Sequence, residues 1–305
     1  MAIRKYQPSD YDAICEISKH IWGGTDYLPM TINKYYEDPH SIPIVLETDG
    51  EIVSVANTRM ITPDIGWLEA MRTHPKARGN GYSTLLTKEQ MNNALEMGAT
   101  YAELLTNVEN IATRKLLDRL SFDEIHLYYI WGWKRQFEEY EDPVKNEIDR
   151  EGNLISIKHI DKHASEQAKA LMKDFSPINS IEELKHLTSK INQMGFDSNV
   201  IGDYQVLSLN AYLVDDWLKE GKLYKIDNPP SVISIQKSKE SKPNFYSISI
   251  GVTSVDPIIL EVVTLYVKQN FEFDSIELMF SEQLKHKLFS IEAFRFRHMR
   301  KKLNI

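Results

Sequence analysis

From Arg78 to Ser83 the chain reads Arg-Gly-Asn-Gly-Tyr-Ser, a stretch equipped to hold a ligand by its backbone. Glycines at 79 and 81 carry no side chain, so a ligand can approach the backbone there. A strand-like run, Trp67 to His74, leads into this stretch, and Tyr82, Leu85, Leu86, Ala94 and Leu95 follow at helical spacing. A turn so placed aims its free N–H groups, and those of the first helical residues, at one spot where the helix dipole adds positive potential. Arg78 sets a full charge beside them. The chemistry this suits is the holding of a diphosphate, with neither a metal nor a lysine. Alone, a two-glycine turn is more often a plain reversal of the chain. Three features favour the binding reading here. The turn lies between a strand and a helix, antiparallel strands precede it, and Asn110 opens a helix after the next strand-like run. The antiparallel strands also argue against a dinucleotide fold built from parallel units.

Ile3 to Tyr6 is a short strand. Ser9, with Asp12 three residues on, suits the start of a helix carrying Tyr11, Ile14, Cys15, Ser18, Ile21 and Trp22 up to Gly23-Gly24. A second short helix follows Tyr27-Leu28-Pro29. Ile42 to Glu47, Glu51 to Ile61 and Trp67 to His74 are successive strands joined by Asp49-Gly50 and by Pro63 to Gly66. The helix after the turn closes at Gly98, Tyr101 to Leu105 is a strand, Asn110 opens a helix, and Ile125 to Trp133 is an aromatic strand. Residues 138–152 are acidic, carry Pro143 and read as a linker. Beyond it the order starts again. Strand-like runs at Leu154 to Ile160, Ser231 to Gln236, Tyr246 to Val252, Ser275 to Phe280 and Phe294 to Met299 alternate with helical ones at Ser165 to Phe175, Pro257 to Gln269 and Glu282 to Ile291. The expectation is an α/β (α+β) chain with a divergent internal duplication, divided as 1–137, a linker, and 153–305.

The order of elements over roughly residues 3–133, with the Arg-x-x-Gly-x-[Gly/Ala] core at 78–83, resembles the GNAT acetyltransferase superfamily. That resemblance implies a mixed, mostly antiparallel sheet flanked by helices. It implies acetyl-CoA as co-substrate, its pyrophosphate held by Arg78, Gly79, Asn80, Gly81, Tyr82, Ser83 and Thr84. It also implies that Met71, Arg72 and Thr73 offer backbone to the pantetheine arm, with Asn110 a further contact. The segments Gly24 to Pro29, Asp38-Pro39, Asp49-Gly50 and Leu68-Glu-Ala-Met-Arg72 are similar to histidine N-acetyltransferase-like proteins, which carry a second, degenerate GNAT-like half. Two departures stand out. Ser83 replaces the last small residue of the turn, where only a backbone N–H is needed. Leu117 stands where many members have a tyrosine that protonates the leaving thiolate. Tyr82, Tyr128, a water, or unaided departure of the thiolate are the alternatives.

Acetyl transfer to nitrogen needs an unprotonated amine. A free α-amino group titrates near pH ~8, so part of it is reactive at neutrality and a base raises that part. By strand alternation Trp67, Glu69 and Met71 share one face. Glu69 is read as a base or water-holder, against the alternatives of a polar residue ordering the strand or a binder of the substrate ammonium. A backbone N–H near Met71 is expected to face the developing oxyanion. Asp26 and Tyr27 are candidates to line the acceptor pocket with Trp67 and Tyr128. Asp26 suits a substrate cation or a helix cap equally. Alternation points Arg72 away from Glu69.

Composition bounds the rest. Hydrophobic residues at 42% and charged residues at 26% mark a globular chain rather than a disordered one. A net charge of -8 disfavours nucleic acid, and the basic run from Arg295 to Lys302 reads as a solvated strand face. No apolar run suits a membrane span, and one cysteine, Cys15, fits a reducing cytoplasm. No metal is expected; His159 and His163 have helical spacing but weak context. Thr253-Ser-Val-Asp-Pro257 lacks the glycines and arginine of the first turn, so the second half is expected not to bind acetyl-CoA. The expected function is acetylation of a small-molecule amine, a free amino acid such as histidine. The alternatives are another amine (polyamine, antibiotic, protein N-terminus) or a non-catalytic acyl-CoA sensor.

Overall fold

The computed structural model describes residues 1–24, 26–134, 147–148, 154–155, 165–202, 205–207, 209, 211–239, 246–271, 275–284 and 294–303. Two compact units emerge: 1–125 with 298–305, and 126–297.

The first unit opens with β1 (Ala2–Lys5), a 3-10 turn at Pro8–Asp10 and α1 (Tyr11–Ser18). Gln7 and Asp10, not Ser9 and Asp12, close this start: the Asp10 carboxylate accepts the Gln7 N–H at 2.8 Å and is held by Arg4 at 2.7 Å. Pro8 suits the first position of such a turn, which shifts the cap upstream. Helix α1 stops before the glycines. Trp22, Gly23 and Gly24 follow in the left-handed region, with φ of 46°, 67° and 88°. Then come α2 (Leu28–Glu37), β2 (Ser41–Thr48), β3 (Glu51–Thr62), β4 (Ile65–Thr73), α3 (Tyr82–Glu96), β5 (Tyr101–Asn107) and α4 (Ile111–Arg119). Strands β1 to β4 pair antiparallel in sequence, and β5 joins β4 in parallel. A parallel neighbour needs a crossover, which α3 supplies. Gly66 lets that helix come close, since a Cβ there would sit 2.5 Å from the Cβ of Ala94.

One face of the sheet buries Tyr6, Val45, Val55 and Ala70 under Ile14 of α1 and Leu28 and Ile32 of α2. The other buries Met60, Leu68 and Leu104 against Ala94, Leu116 and Leu117 of α3 and α4. Residues 298–302 of the C-terminal strand (Phe294–Lys302) belong to this unit and lie beside β5. Met299 and Leu303 join the α3–α4 core.

The second unit repeats the plan. Ser231–Lys239 and Tyr246–Ser254 pair antiparallel, and Ser275–Ser281 joins the latter in parallel after the helix Ile258–Asn270. That helix centres the unit's core through Ile259, Val262, Val263 and Leu265. Helices Ile181–Gln193 and Tyr212–Lys219 and the strand Leu223–Ile226 were not expected. For the first a signal existed: Ser180 caps it, with Glu183 three residues on, and Leu184, Leu187 and Ile191 are buried at helical spacing.

The units divide differently from the expected 1–137 and 153–305. The aromatic strand, β6 (Asp123–Lys134), pairs from Tyr128 to Lys134 with Ser275–Ser281. Each unit therefore completes its sheet with a strand from the other half of the sequence. Periodicity identifies a strand but not its partner, so nothing in the spacing announced this exchange. Most of the expected linker, the pair His159 and His163, and the end of the expected helix Glu282 to Ile291 lie outside the described residues. No described helix is long and apolar enough to cross a membrane.

Candidate active site

The site begins with a defect in β4. Val55 pairs with Arg72 and Asn57 with Glu69, so Ala70 and Met71 together oppose Ala56. This is a β-bulge, which re-aims the side chains after it. Ala70 takes the left-handed conformation, φ 58°, which costs an L residue about 1–2 kcal/mol. Its methyl packs under α1 and α2, whereas Met71 turns to the α3 side near Leu86 and Tyr82. The expected shared face thus holds for Trp67 and Glu69 but not for Met71. Arg72, expected to point away, returns to the face of Glu69. Ahead of the bulge β4 has already lost its neighbour: pairing with β5 runs only from Ile65–Tyr101 to Trp67–Glu103. The stretch Leu68 to Thr73 leaves an open edge on that side.

The chain then enters the turn. Ala77 N–H donates to the His74 carbonyl at 2.9 Å and Arg78 N–H to that of Pro75 at 3.3 Å. At the far end, Thr84 and Leu85 N–H both donate to the Gly81 carbonyl, at 2.9 and 3.2 Å. Between them, the N–H groups of Gly79, Asn80, Gly81, Tyr82 and Ser83 meet no acceptor among the described residues. The open run is therefore 79–83; the amides of Arg78 and Thr84 are already bonded. Gly79 and Gly81 have φ of 84° and 77°, and a Cβ on either would meet nothing within 4 Å. Glycine is needed for the backbone sign, and the space in front is clear. No side chain caps α3. The Arg78 Nε donates to the Thr73 carbonyl at 3.4 Å, which ties its guanidinium to the end of β4. The matching helix in the second unit differs: Asp256 Oδ1 accepts Ile258 N–H at 2.9 Å, and the Asp256 carbonyl accepts Ile259 N–H at 3.2 Å.

On the α1–α2 face the polar groups cluster. Glu69 accepts from Asn57 Nδ2 at 3.0 Å and pairs with Arg59 at 3.2 Å, both side chains of the pair being mostly buried. Gln90 of α3 donates to the Asn57 and Glu69 carbonyls at 2.5 and 3.2 Å, bracing both strands from behind. Burial raises the Tyr27 and Tyr35 phenols, with Glu69 adding to both. Asn57, Tyr35 and Gln90 carried no signal in the sequence, because each gains its place from strand register.

Asp26 is already satisfied. Arg72 grips it through Nε and Nη2, each at 3.0 Å, Ser18 Oγ donates at 3.0 Å, and Leu28 N–H at 3.3 Å. Four donors fill its acceptor positions, so the carboxylate serves Arg72 rather than a substrate cation. Burial works against the Arg72 charge, but the Asp26 hydrogen bonds outweigh it and hold the guanidinium above its ordinary value. The same guanidinium lies 4.7 Å from the Trp22 ring centre and 5.3 Å from that of Tyr27.

Asn110 caps α4, its Oδ1 accepting Thr113 N–H at 3.1 Å, and its Nδ2 hydrogens can still meet a ligand. Leu117 is buried in the α3–α4 core. Tyr128 falls in the other unit, buried, its hydroxyl donating to Asp197 at 2.5 Å. Among the described residues, Glu16, His20 and His74 bring potential metal ligands within 4.8 Å of one another. All three have partners: Lys19 Nζ lies 2.6 Å and His20 Nε2 3.7 Å from Glu16, and His74 Nδ1 accepts Lys76 N–H at 3.2 Å.

Residues 11–122 match the model of the Acetyltransferase (GNAT) family. Eighty residues, 26% of the chain, are 29% identical to 24% of the length of a histidine N-acetyltransferase from Oreochromis niloticus. The same length is 26% identical to 24% of a histidine N-acetyltransferase from Scomber australasicus. The alignment thus spans about a quarter of these curated relatives. A crystal structure from Thermoplasma acidophilum, provisionally named an acetyltransferase, covers 99% of this chain with 100% of its own, at a TM-score of 0.62 and 12% identity. One from Pyrococcus horikoshii, named likewise, covers 100% with 90% of its own at a TM-score of 0.58 and 10% identity. At such identities the likeness is one of fold.

Proposed function

We propose, from the premise that residues 11–122 form a GNAT acetyltransferase domain, that this chain is an acetyl-CoA-dependent N-acetyltransferase for a small-molecule amine. A free amino acid such as histidine is the acceptor the relatives' names favour. The observation that carries the reading is the run of five N–H groups, Gly79 to Ser83, without an acceptor among the described residues, at the start of a 15-residue helix. These residues fit a diphosphate: donors converge with the positive end of the helix, and Arg78 stands beside them. The open edge of β4 beyond Trp67 suits an extended arm that bonds to backbone.

The reaction forms a C–N bond and breaks a C–S bond, so the nitrogen must lose a proton and the sulfur gain one. Glu69 takes the amine proton, directly or through a water, with Asn57 and Arg59 fixing its carboxylate. The bulge turns the backbone at Met71 so that an N–H meets the charge developing on the acetyl oxygen. Tyr82, at the first position of α3, or a water returns a proton to the sulfur in place of the tyrosine that Leu117 replaces. Asp26, itself held by Ser18, grips Arg72 and, with Tyr27, builds the wall of the acceptor side. The second unit, whose corresponding helix start bonds to its own chain, takes no acetyl-CoA.

Thiol release with acetyl-CoA and a panel of amino acids and amines tests this. Turnover on an α-amino acid is the expected result. Acetyl-CoA binding with no turnover on any amine would point to a sensor instead. Arg78→Ala should weaken acetyl-CoA by about 1–3 kcal/mol, roughly 5- to 150-fold in Kd, by titration calorimetry. Stability should not change, because Arg78 is exposed. An unchanged Kd would make the turn merely structural.

A further inference from the structure

We propose that the C-terminal strand completes the acceptor side of this site, with His298 as a positioning residue that acts through Trp67. The inference rests on the acetyltransferase reading above. Residues 298–305 belong to the first unit although 172 residues of the second, 126–297, separate them from its other part. Leu303 N–H donates to the Thr100 carbonyl at 2.8 Å, the Arg300 guanidinium lies 5.1 Å from the Tyr101 ring centre, and both Arg300 and His298 reach Glu103. The strand therefore runs antiparallel to β5. That direction carries His298 toward the end of β5 where β4 has parted from it.

Glu103 is the register partner of Trp67, and the His298 ring lies 5.7 Å from the Trp67 ring at 50°. Trp67 in turn faces Arg59 across β3, and Arg59 pairs with Glu69. A continuous row thus leads from His298 through Trp67 and Arg59 to the proposed base. Glu103 is 1% exposed and His298 2%. The two Glu103 carboxylate oxygens are both taken, Oε2 by His298 Nε2 at 2.8 Å and Oε1 by Arg300 Nε at 2.5 Å, so the imidazole is held in place.

Fastening a strand does not require this. Burying charge costs desolvation that apolar side chains avoid, and Met299 and Leu303 of the same strand already anchor it in the α3–α4 core. The polar row lies on the opposite face, that of Trp67 and Glu69. There a fixed imidazole keeps the indole from swinging into the space between β4 and β5. The indole in turn sets where an amine must lie to reach Glu69.

The test compares the full chain with His298→Gln, which removes the ring beside Trp67, and Glu103→Gln, which loosens the imidazole. We expect kcat/KM for the amine to fall about ten- to a hundredfold in each, the scale of a misplaced reacting group. The Kd for acetyl-CoA should stay within about twofold, and a cooperative melting transition should remain. A selective loss of this kind is not what a mere strand fastener gives. A folded His298→Gln with parental kcat/KM overturns the inference. If that variant does not fold, Glu103→Gln is judged by the same criterion, and loss of folding in both also overturns it, since the row would then be structural. If the parent chain turns over no amine, the acetyltransferase reading falls and this one with it. If the parent is active and the variants match it, only this inference falls.

Discussion

Asp26→Asn should destabilise the first unit by about 3–5 kcal/mol, the cost of leaving a buried charge without its partner. Asparagine keeps the shape of the side chain but removes its charge. Arg72 then loses both bonds to a carboxylate that is fully buried, while its own side chain is 11% exposed and has little water to turn to. At a few degrees per kcal/mol for a unit of this size, the melting transition should fall by roughly 10 °C or more. A second variant separates a lost charge from a lost contact. In Asp26→Asn/Arg72→Met neither charge remains, and part of the stability should return, because no buried cation is left without its partner. Wild-type melting in the single variant would mean that Arg72 finds water or another partner. The acceptor wall would then be less rigid than the geometry implies.

Glu69→Gln should lower kcat about 10²- to 10⁴-fold, the range a positioned general base contributes. The amide still accepts from Asn57 Nδ2, so the bulge and Met71 should keep their places. Acetyl-CoA affinity should hold, because the open amides at 79–83 lie beyond the strand. The sign of the pH dependence follows from the acceptor. A free α-amino group titrates near pH ~8, so below that value most of the amine needs deprotonation, and above it little does. The deficit of the variant should therefore be largest at neutral pH and shrink as pH rises. A rate and pH profile identical to the parent would reduce Glu69 to a brace for β3 and β4.

Much of the first unit was legible in the sequence because its signals are local. Asp49-Gly50 marks a hairpin, the glycines at 79 and 81 mark positive φ, and Asn110 marks a cap, each by a property of the residue itself. The bulge at Ala70 was not legible. An alanine gives no hint of a left-handed conformation, so alternation was carried one residue too far and misplaced both Met71 and Arg72. Asp26 and Arg72 are 46 residues apart, and His298 and Glu103 are 195 apart. Partnerships of that range depend on which strands lie side by side, and hydrophobic period says nothing of that. The strand exchange that redraws the two units is hidden for the same reason. The helix Ile181–Gln193 is a different case, since Ser180 and Glu183 had announced it by their spacing.

If five backbone N–H groups at the start of α3 hold a diphosphate, titrating the ¹⁵N-labelled chain with coenzyme A will reveal it residue by residue. The amide resonances of Gly79, Asn80, Gly81, Tyr82 and Ser83 should shift downfield together and saturably as they gain an acceptor. Those of Arg78 and Thr84, already bonded within the chain, should move less. Saturable binding that leaves the five unshifted while amides elsewhere respond would contradict it.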